Sequence, residues 1–327
     1  MSAIGIDVGH SAVKIATDKG TIMFPSVVIP AISISHDGEA ARAALETVHI
    51  NGKSWFFGDT AIRYSGEMTT TGLLDNWIET PEHYALIAGA MKKLEQYGIS
   101  GSQHMIIMGL PMKNFDSHSP ILKALMKNIV LNEVKVMPQP QAPYYTVTIG
   151  EQGAKSLEND MDTESWAVID VGFYTTDIMA MDRGGFPNQK VRAHTIGVSA
   201  AALQLQEKLD AKNIEVSIVE CDQILKDRYV TSFNKRIDVS HEVDNAIYSL
   251  VSKIIEKSEI QLKQYARNLT GILVAGGGAP LVVDKLAEKW GNVRLAPNSR
   301  YAVVEGMRRF GEALILHRPP KSINKNS

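Results

Sequence analysis

The sequence of 327 residues holds one cysteine, Cys221, and no apolar run of about 18 residues. A lone thiol excludes an internal disulfide and the usual thiolate metal sites, and it suits a reducing cytoplasm. With no apolar span and no N-terminal secretion signal, the expectation is a chain that neither crosses a membrane nor leaves the cell. An excess of charge of either sign is also lacking: 34 Lys and Arg stand against 36 Asp and Glu, a formal net of −2. Non-specific DNA binding rests on clustered cations releasing counterions, so a broad DNA-gripping surface is not expected. The basic stretch Arg318 to Ser327 is brief and reads as a solvated end. Nine histidines are scattered without metal-ligand spacing.

What the chain does have is one phosphate-gripping pattern written twice. Ile4-Gly5-Ile6-Asp7-Val8-Gly9-His10-Ser11 runs on to Lys14, and Ala167-Val168-Ile169-Asp170-Val171-Gly172-Phe173-Tyr174-Thr175-Thr176 runs on to Asp177. In each, a β-prone run ends in Asp-x-Gly, and a second strand follows a tight turn. Such a hairpin can aim backbone N–H groups at an anion, while its aspartate holds a hydrated Mg²⁺. Asp182-Arg183-Gly184 has the same spacing without the flanking strands and reads as a plain turn. For His10, the turn position points to its backbone N–H rather than to imidazole chemistry.

A third element lies near the C-terminus. Gly271-Ile272-Leu273-Val274-Ala275 is a short strand that enters Gly276-Gly277-Gly278, and helical periodicity follows from Leu281 to Trp290. Glycines there would let a base or ribose lie on the backbone, and the helix start would offer its dipole to phosphate. The alternative is a flexible strand-to-helix turn, because the spacing matches neither the dinucleotide fingerprint nor the Walker loop.

The remaining pattern organises the chain. Asn51-Gly52 between Val48-His49-Ile50 and Lys53 to Phe57 predicts a type I′ hairpin, and Thr80 predicts the cap of a helix from about Pro81 to Tyr97. The apolar stripe from Val243 to Leu262 predicts a core-facing helix over about His241 to Arg267, and a shorter helix is expected from Ala200 to Leu209. Glu151 to Glu164 is acidic and polar, which makes it the candidate crossing between two domains.

In order and content these parts resemble the actin-like ATPase superfamily, and within it the plasmid-segregation ParM/StbA type. Asp7-x-Gly9 with Lys14 looks like its phosphate-1 motif, and Asp170-x-Gly172 with Thr175 and Asp177 like phosphate-2. Gly276 to Gly278 looks like the adenosine motif. Val134 to Tyr145 resembles connect-1, and Asn298 to Met307 the last helix, where connect-2 falls.

The resemblance implies an α/β, actin-like (ribonuclease H-like) fold of two domains with a nucleotide cleft between them. Domain I would be residues 1–155, with a small hairpin subdomain at about 30–75, completed by a C-terminal helix at about 300–317. Domain II would be 165–299. It implies ATP or GTP with Mg²⁺, the metal held by Asp7 and Asp170 through water. Phosphate would rest on the backbones of Gly9, His10 and Ser11 and of Gly172, Phe173, Tyr174 and Thr175, with Lys14, and the adenosine on Gly276, Gly277 and Gly278. Gln139 stands where the ParM type has glutamate; a neutral amide orients water and cannot take its proton. Phe173 and Tyr174 are bulkier than the family's usual residues there.

The expected function is a filament-forming ATPase of plasmid segregation, acting with itself and with a DNA-binding adaptor of the ParR type. The alternative is a non-polymerising ATPase or small-molecule kinase on the same fold. A sugar kinase would add a carboxylate base, a chaperone a further substrate domain, and a membrane-bound divisome actin an amphipathic tail; none of these is evident in the sequence.

Overall fold

The computed structural model describes residues 1–65, 77–99, 104–112, 115–130, 133–156, 161–187 and 192–318. The tail from 319, residues 66–75 of the expected subdomain and residues 157–160 of the expected crossing lie outside them.

The first half runs β1 (Ser2–Val8), β2 (Ala12–Thr17), β3 (Gly20–Pro25), β4 (Val28–Pro30), α1 (Asp37–Ala44), β5 (Thr47–Ile50), β6 (Lys53–Phe57) and α2 (Gly58–Ser65). It continues through α3 (Pro81–Gln96), β7 (His104–Leu110), α4 (Phe115–Lys127), β8 (Glu133–Pro138) and α5 (Ala142–Thr148). The second half begins with β9 (Trp166–Val171), β10 (Thr176–Asp182), β11 (Phe186–Pro187), β12 (Arg192–His194), α6 (Val198–Asp210) and α7 (Ile218–Asp227). It ends with β13 (Tyr229–Ser232), β14 (Lys235–Asp238), α8 (Ser240–Leu262), β15 (Gly271–Ala275), α9 (Ala279–Trp290), β16 (Val293–Leu295) and α10 (Ala302–Leu316).

The two Asp-x-Gly hairpins seed two sheets of the same plan. One has the order β3-β2-β1-β7-β8 and the other β11-β10-β9-β15-β16, with β12 beside β10. In each, the hairpin is antiparallel and the next neighbour, β7 or β15, runs parallel to its first strand. Parallel pairing needs a crossover, and the intervening helices supply it. The strands β1, β7, β9 and β15 are near-continuous apolar runs because both of their faces are covered.

Local sequence sets several boundaries. Thr80 accepts from His83 N–H at 3.2 Å and starts α3. Asn51 (φ 48°) and Gly52 (φ 74°) make the tight β5–β6 turn. On α8, Val243, Ala246, Leu250, Val251, Ile254 and Leu262 are buried in the core of the second half. That helix stops at Leu262 rather than near Arg267, because from Lys263 to Arg267 the chain is largely exposed and only half-buried Tyr265 of that stretch packs on the core. The segment after α5 is less loose than its composition predicts: Ile149 and Lys155 form an isolated antiparallel bridge.

Helix α10 belongs to the first half although it comes last in the chain. A Cβ on Gly5 would lie 2.1 Å from Val304 O, and one on Gly306 would lie 1.7 Å from Ala142 O. Backbone therefore rests on backbone where α10 crosses β1 and α5. Arg309 Nη1 donates to Thr146 O and Ile149 O, both at 2.9 Å, closing off the last carbonyls of α5.

Candidate functional site

Each Asp-x-Gly turn has its carbonyls tied back into the protein. Ser26 donates from N to Ser11 O at 3.1 Å and from Oγ to Gly9 O at 2.6 Å. In the second turn, Val198 N–H donates to Gly172 O at 3.1 Å and Ser199 N–H to Phe173 O at 2.7 Å. The N–H groups of Phe173 and Tyr174 have no backbone partner among the described residues. Gly172 differs from the expectation, since its own N–H donates to Thr175 O at 2.9 Å inside the turn. Its contribution is the missing side chain: a Cβ would lie 3.1 Å from that same oxygen.

The two turns face each other. The rings of His10 and Tyr174 meet edge to face with centroids 6.4 Å apart, one from each half. His10 thus brings its ring to the cleft as well as its backbone. Ladder registers place Lys14 opposite Asp7 and Asp177 opposite Asp170, so each pair shares one face of its hairpin. Burial raises the Asp7 carboxyl above its usual range, partly offset by Lys14, by the bond from Gln139 and by His10. Burial likewise pushes Asp170 up to about 6, with Lys14 opposing and Asp7 adding to the rise. Lys14 and both aspartates therefore feel one another across the cleft.

Gln139 reaches this cluster from the short 3-10 turn after β8: its Nε2 donates to Asp7 Oδ1 at 2.5 Å. Gly109 makes the reach possible, because a Cβ there would lie 2.5 Å from Gln139 Cγ. The amide oxygen of Gln139 accepts no hydrogen bond among the described residues. Gln141 is turned elsewhere, donating to Tyr145 Oη at 2.5 Å.

The three glycines do different things. A Cβ on Gly276 (φ 91°) would meet Asp170 Oδ1 at 2.4 Å and Val171 O at 2.3 Å, and one on Gly278 would meet Val198 Cγ2 at 2.5 Å. Both are required by the packing of the turn itself. Gly277 has only Arg300 Cγ near it, at 3.9 Å, and is the glycine open to a base or ribose.

Sequence reasoning passed over Gly197 and gave Asp177 a place in the second motif but no role of its own. Gly197 has no room for a side chain, since a Cβ would lie 2.4 Å from Phe173 O, and so lets α6 abut the second turn. Asp177 holds a buried Oδ1 with no hydrogen-bond partner, and its carboxyl is pushed up to about 7 by burial and by Asp170 and Asp7. Its position opposite Asp170 in a predicted hairpin was the available signal.

That raised carboxyl has a measurable sign. The folded chain holds the Asp177 proton more tightly than the unfolded chain, so its ionisation subtracts stability as pH rises from about 4 to about 7. Asp177→Asn removes this loss. The variant is expected to match the parent near pH 4 and to exceed it by on the order of 1–3 kcal/mol at pH 7 in metal-free denaturant titrations. A constant difference across that range would place the effect elsewhere.

Among the described residues no three His, Cys, Asp or Glu side chains close into a direct metal cage. The donors present fit a hydrated divalent ion better: Asp7 and Asp170 face one cleft, each raised by burial. Mg²⁺ keeps several waters and takes one or two carboxylates with substrate phosphates. No described helix is long and apolar enough to cross a membrane.

The chain matches the family model described as actin-like proteins, N-terminal domain, over residues 5–141, and that of the archaeal actin homologue MreB-like C-terminal region over 168–288. It is 25% identical over 336 aligned positions to an archaeal actin homolog of Thermoplasma volcanium, covering 96% of this chain and 97% of the relative. Its fold is similar to that of an archaeal actin homolog solved in complex with ADP, with a TM-score of 0.74, 22% identity, and coverage of 94% of this chain and 98% of the other. It is similar as well to the subunit of a 15-stranded ParM filament from Clostridium botulinum, with a TM-score of 0.73, 19% identity, and coverage of 95% and 99%.

Proposed function

The chain belongs to the actin-like ATPase superfamily, and on that premise we propose that it hydrolyses ATP, or GTP, as a filament-forming protein of DNA segregation. The carrying observation is the pair of matched turns with Asp7, Lys14, Gln139 and Asp170 brought together between them. The likeness to an ADP complex and to a ParM filament subunit supports the reading. Residues 1–155 with the helix at about 300–317 form one domain in this reading, and 165–299 the other.

Phosphates sit between the turns, against the backbones of Gly9 to Ser11 and Phe173 to Thr175, with Lys14 supplying positive charge. When bound, Mg²⁺ supplies neutralisation of phosphate charge. Asp7 and Asp170 hold its waters, and Gln139, fixed by its bond to Asp7, orients the attacking water through its amide oxygen. Because an amide takes no proton, turnover is slow and answers to assembly. Gln139→Ala is expected to slow phosphate release roughly 10- to 1,000-fold with little change in nucleotide affinity. Weaker binding with unchanged turnover per bound nucleotide would give Gln139 a binding role instead.

Nucleotide bridging both domains selects the conformer that can add to a filament end. The adaptor, a DNA-binding protein of the ParR type, would link those ends to DNA in the cytoplasm. With ATP and Mg²⁺, micromolar protein should sediment as filaments above a critical concentration. A protein that stays monomeric by sedimentation and electron microscopy in every nucleotide state would be a non-polymerising ATPase or kinase.

A further inference from the structure

Strands β13 and β14 form a hairpin that joins neither large sheet. Every residue of β14 is exposed, and at the tip Phe233 is 98% exposed. Phe233 (φ 47°) and Asn234 (φ 60°) both take the left-handed conformation of a type I′ turn. Asparagine accepts that conformation readily, whereas a bulky aromatic does so under strain. An aromatic ring held in water by unfavourable backbone adds nothing to the stability of the hairpin. Exposed aromatics on a defined protrusion are typical anchors of protein contacts. Lys235 and Arg236 follow the ring, and Arg236 stacks 4.3 Å from the centroid of Tyr229, which stiffens the base of the knob.

A complementary groove lies in the first half, between the 3-10 turn Trp77–Glu79 and α4, lined by Ile78, Glu79, Ile121, Ala124, Leu125 and Asn128. Ile121, Ala124 and Leu125 share one face of α4, Asn128 follows it just past the helix end, and Lys123 and Lys127 fall on other faces. The groove is apolar with one carboxylate, and the knob is an aromatic ring with two cations. At 98% exposure the ring does not occupy the groove of its own chain. Knob and groove are different surfaces, so their pairing is heterologous, the kind of contact that head-to-tail extension requires.

We propose that Phe233 is a knob by which one copy of the chain seats in the α4 groove of the next. This contact rests on the filament reading above. Phe233→Asn relieves the turn, so it should melt slightly higher than the parent while raising the critical concentration tenfold or more at unchanged nucleotide affinity. Phe233→Trp should assemble. With the photoreactive aromatic p-benzoylphenylalanine at position 233, illumination under ATP and Mg²⁺ should give intermolecular cross-links that map to residues 115–128. A parental critical concentration for Phe233→Asn, or cross-links mapping elsewhere, overturns the contact. If the parent forms no filaments, cross-links to α4 in concentrated protein still support the contact and count only against the filament reading; their absence overturns both.

Discussion

Asp170→Ala is expected to lower phosphate release by roughly 10²- to 10⁴-fold while nucleotide binding survives in weakened form. Asp170 lies one residue before the end of β9, and a Cβ on Gly276 would lie 2.4 Å from its Oδ1, so the Gly276–Gly278 turn packs directly on this carboxylate. Burial and the neighbouring Asp7 make its ionised form costly, with Lys14 as the opposing charge. Carboxylates held together against their own repulsion fit a cation, and in the proposed reaction Asp7 and Asp170 would hold one that offsets this repulsion and neutralises phosphate charge. Binding declines less than turnover because the backbones of both turns and Lys14 remain. Asp170→Asn keeps the shape without the charge and should fail to the same degree. Normal turnover in either variant would remove Asp170 from the chemistry.

The second large effect is on the fold. Gly306→Ala is expected to cost ~3 kcal/mol or more, or to prevent folding, because its Cβ would lie 1.7 Å from Ala142 O where α5 and α10 cross. Neither helix can yield easily. Arg309 ties α10 to the end of α5, and Glu312 Oε1 accepts from Ala3 N–H at 2.8 Å, fixing α10 to β1. Gly277→Ala is the matched control, since space is open there, and its stability should stay within about 0.5 kcal/mol of the parent. Equal denaturation midpoints for Gly306→Ala and the parent would show that the two helices slide apart at little cost.

Particular residues mark how much of this was legible. Asp7-x-Gly9 and Asp170-x-Gly172 announced hairpins, and the structure has them, with Lys14 and Asp177 each directly opposite its aspartate. Asn51-Gly52 and Thr80 announced a turn and a cap through the backbone each prefers. The glycines Gly276 to Gly278 were legible as a strand-to-helix turn but not in their packing: Cβ atoms on Gly276 and Gly278 would strike Val171, Asp170 and Val198, which are close only after folding. Gly197 and Gly109 went unread for the same cause, since a missing side chain has meaning only beside what would strike it.

The sequence by itself therefore determined what neighbours along the chain decide: strand, turn and cap, and through the repeated hairpin, two sheets of one plan. Those are local because φ/ψ preference and alternation act over a few residues. Tertiary structure alone decided what crosses the chain. Gln139 meets Asp7 across 132 positions, and His10 meets Tyr174 across the cleft. It decided as well that Asp177 Oδ1 is buried without a hydrogen-bond partner and that Phe233 stands in water. Burial and charge depend on three-dimensional neighbours, which no short window of sequence contains.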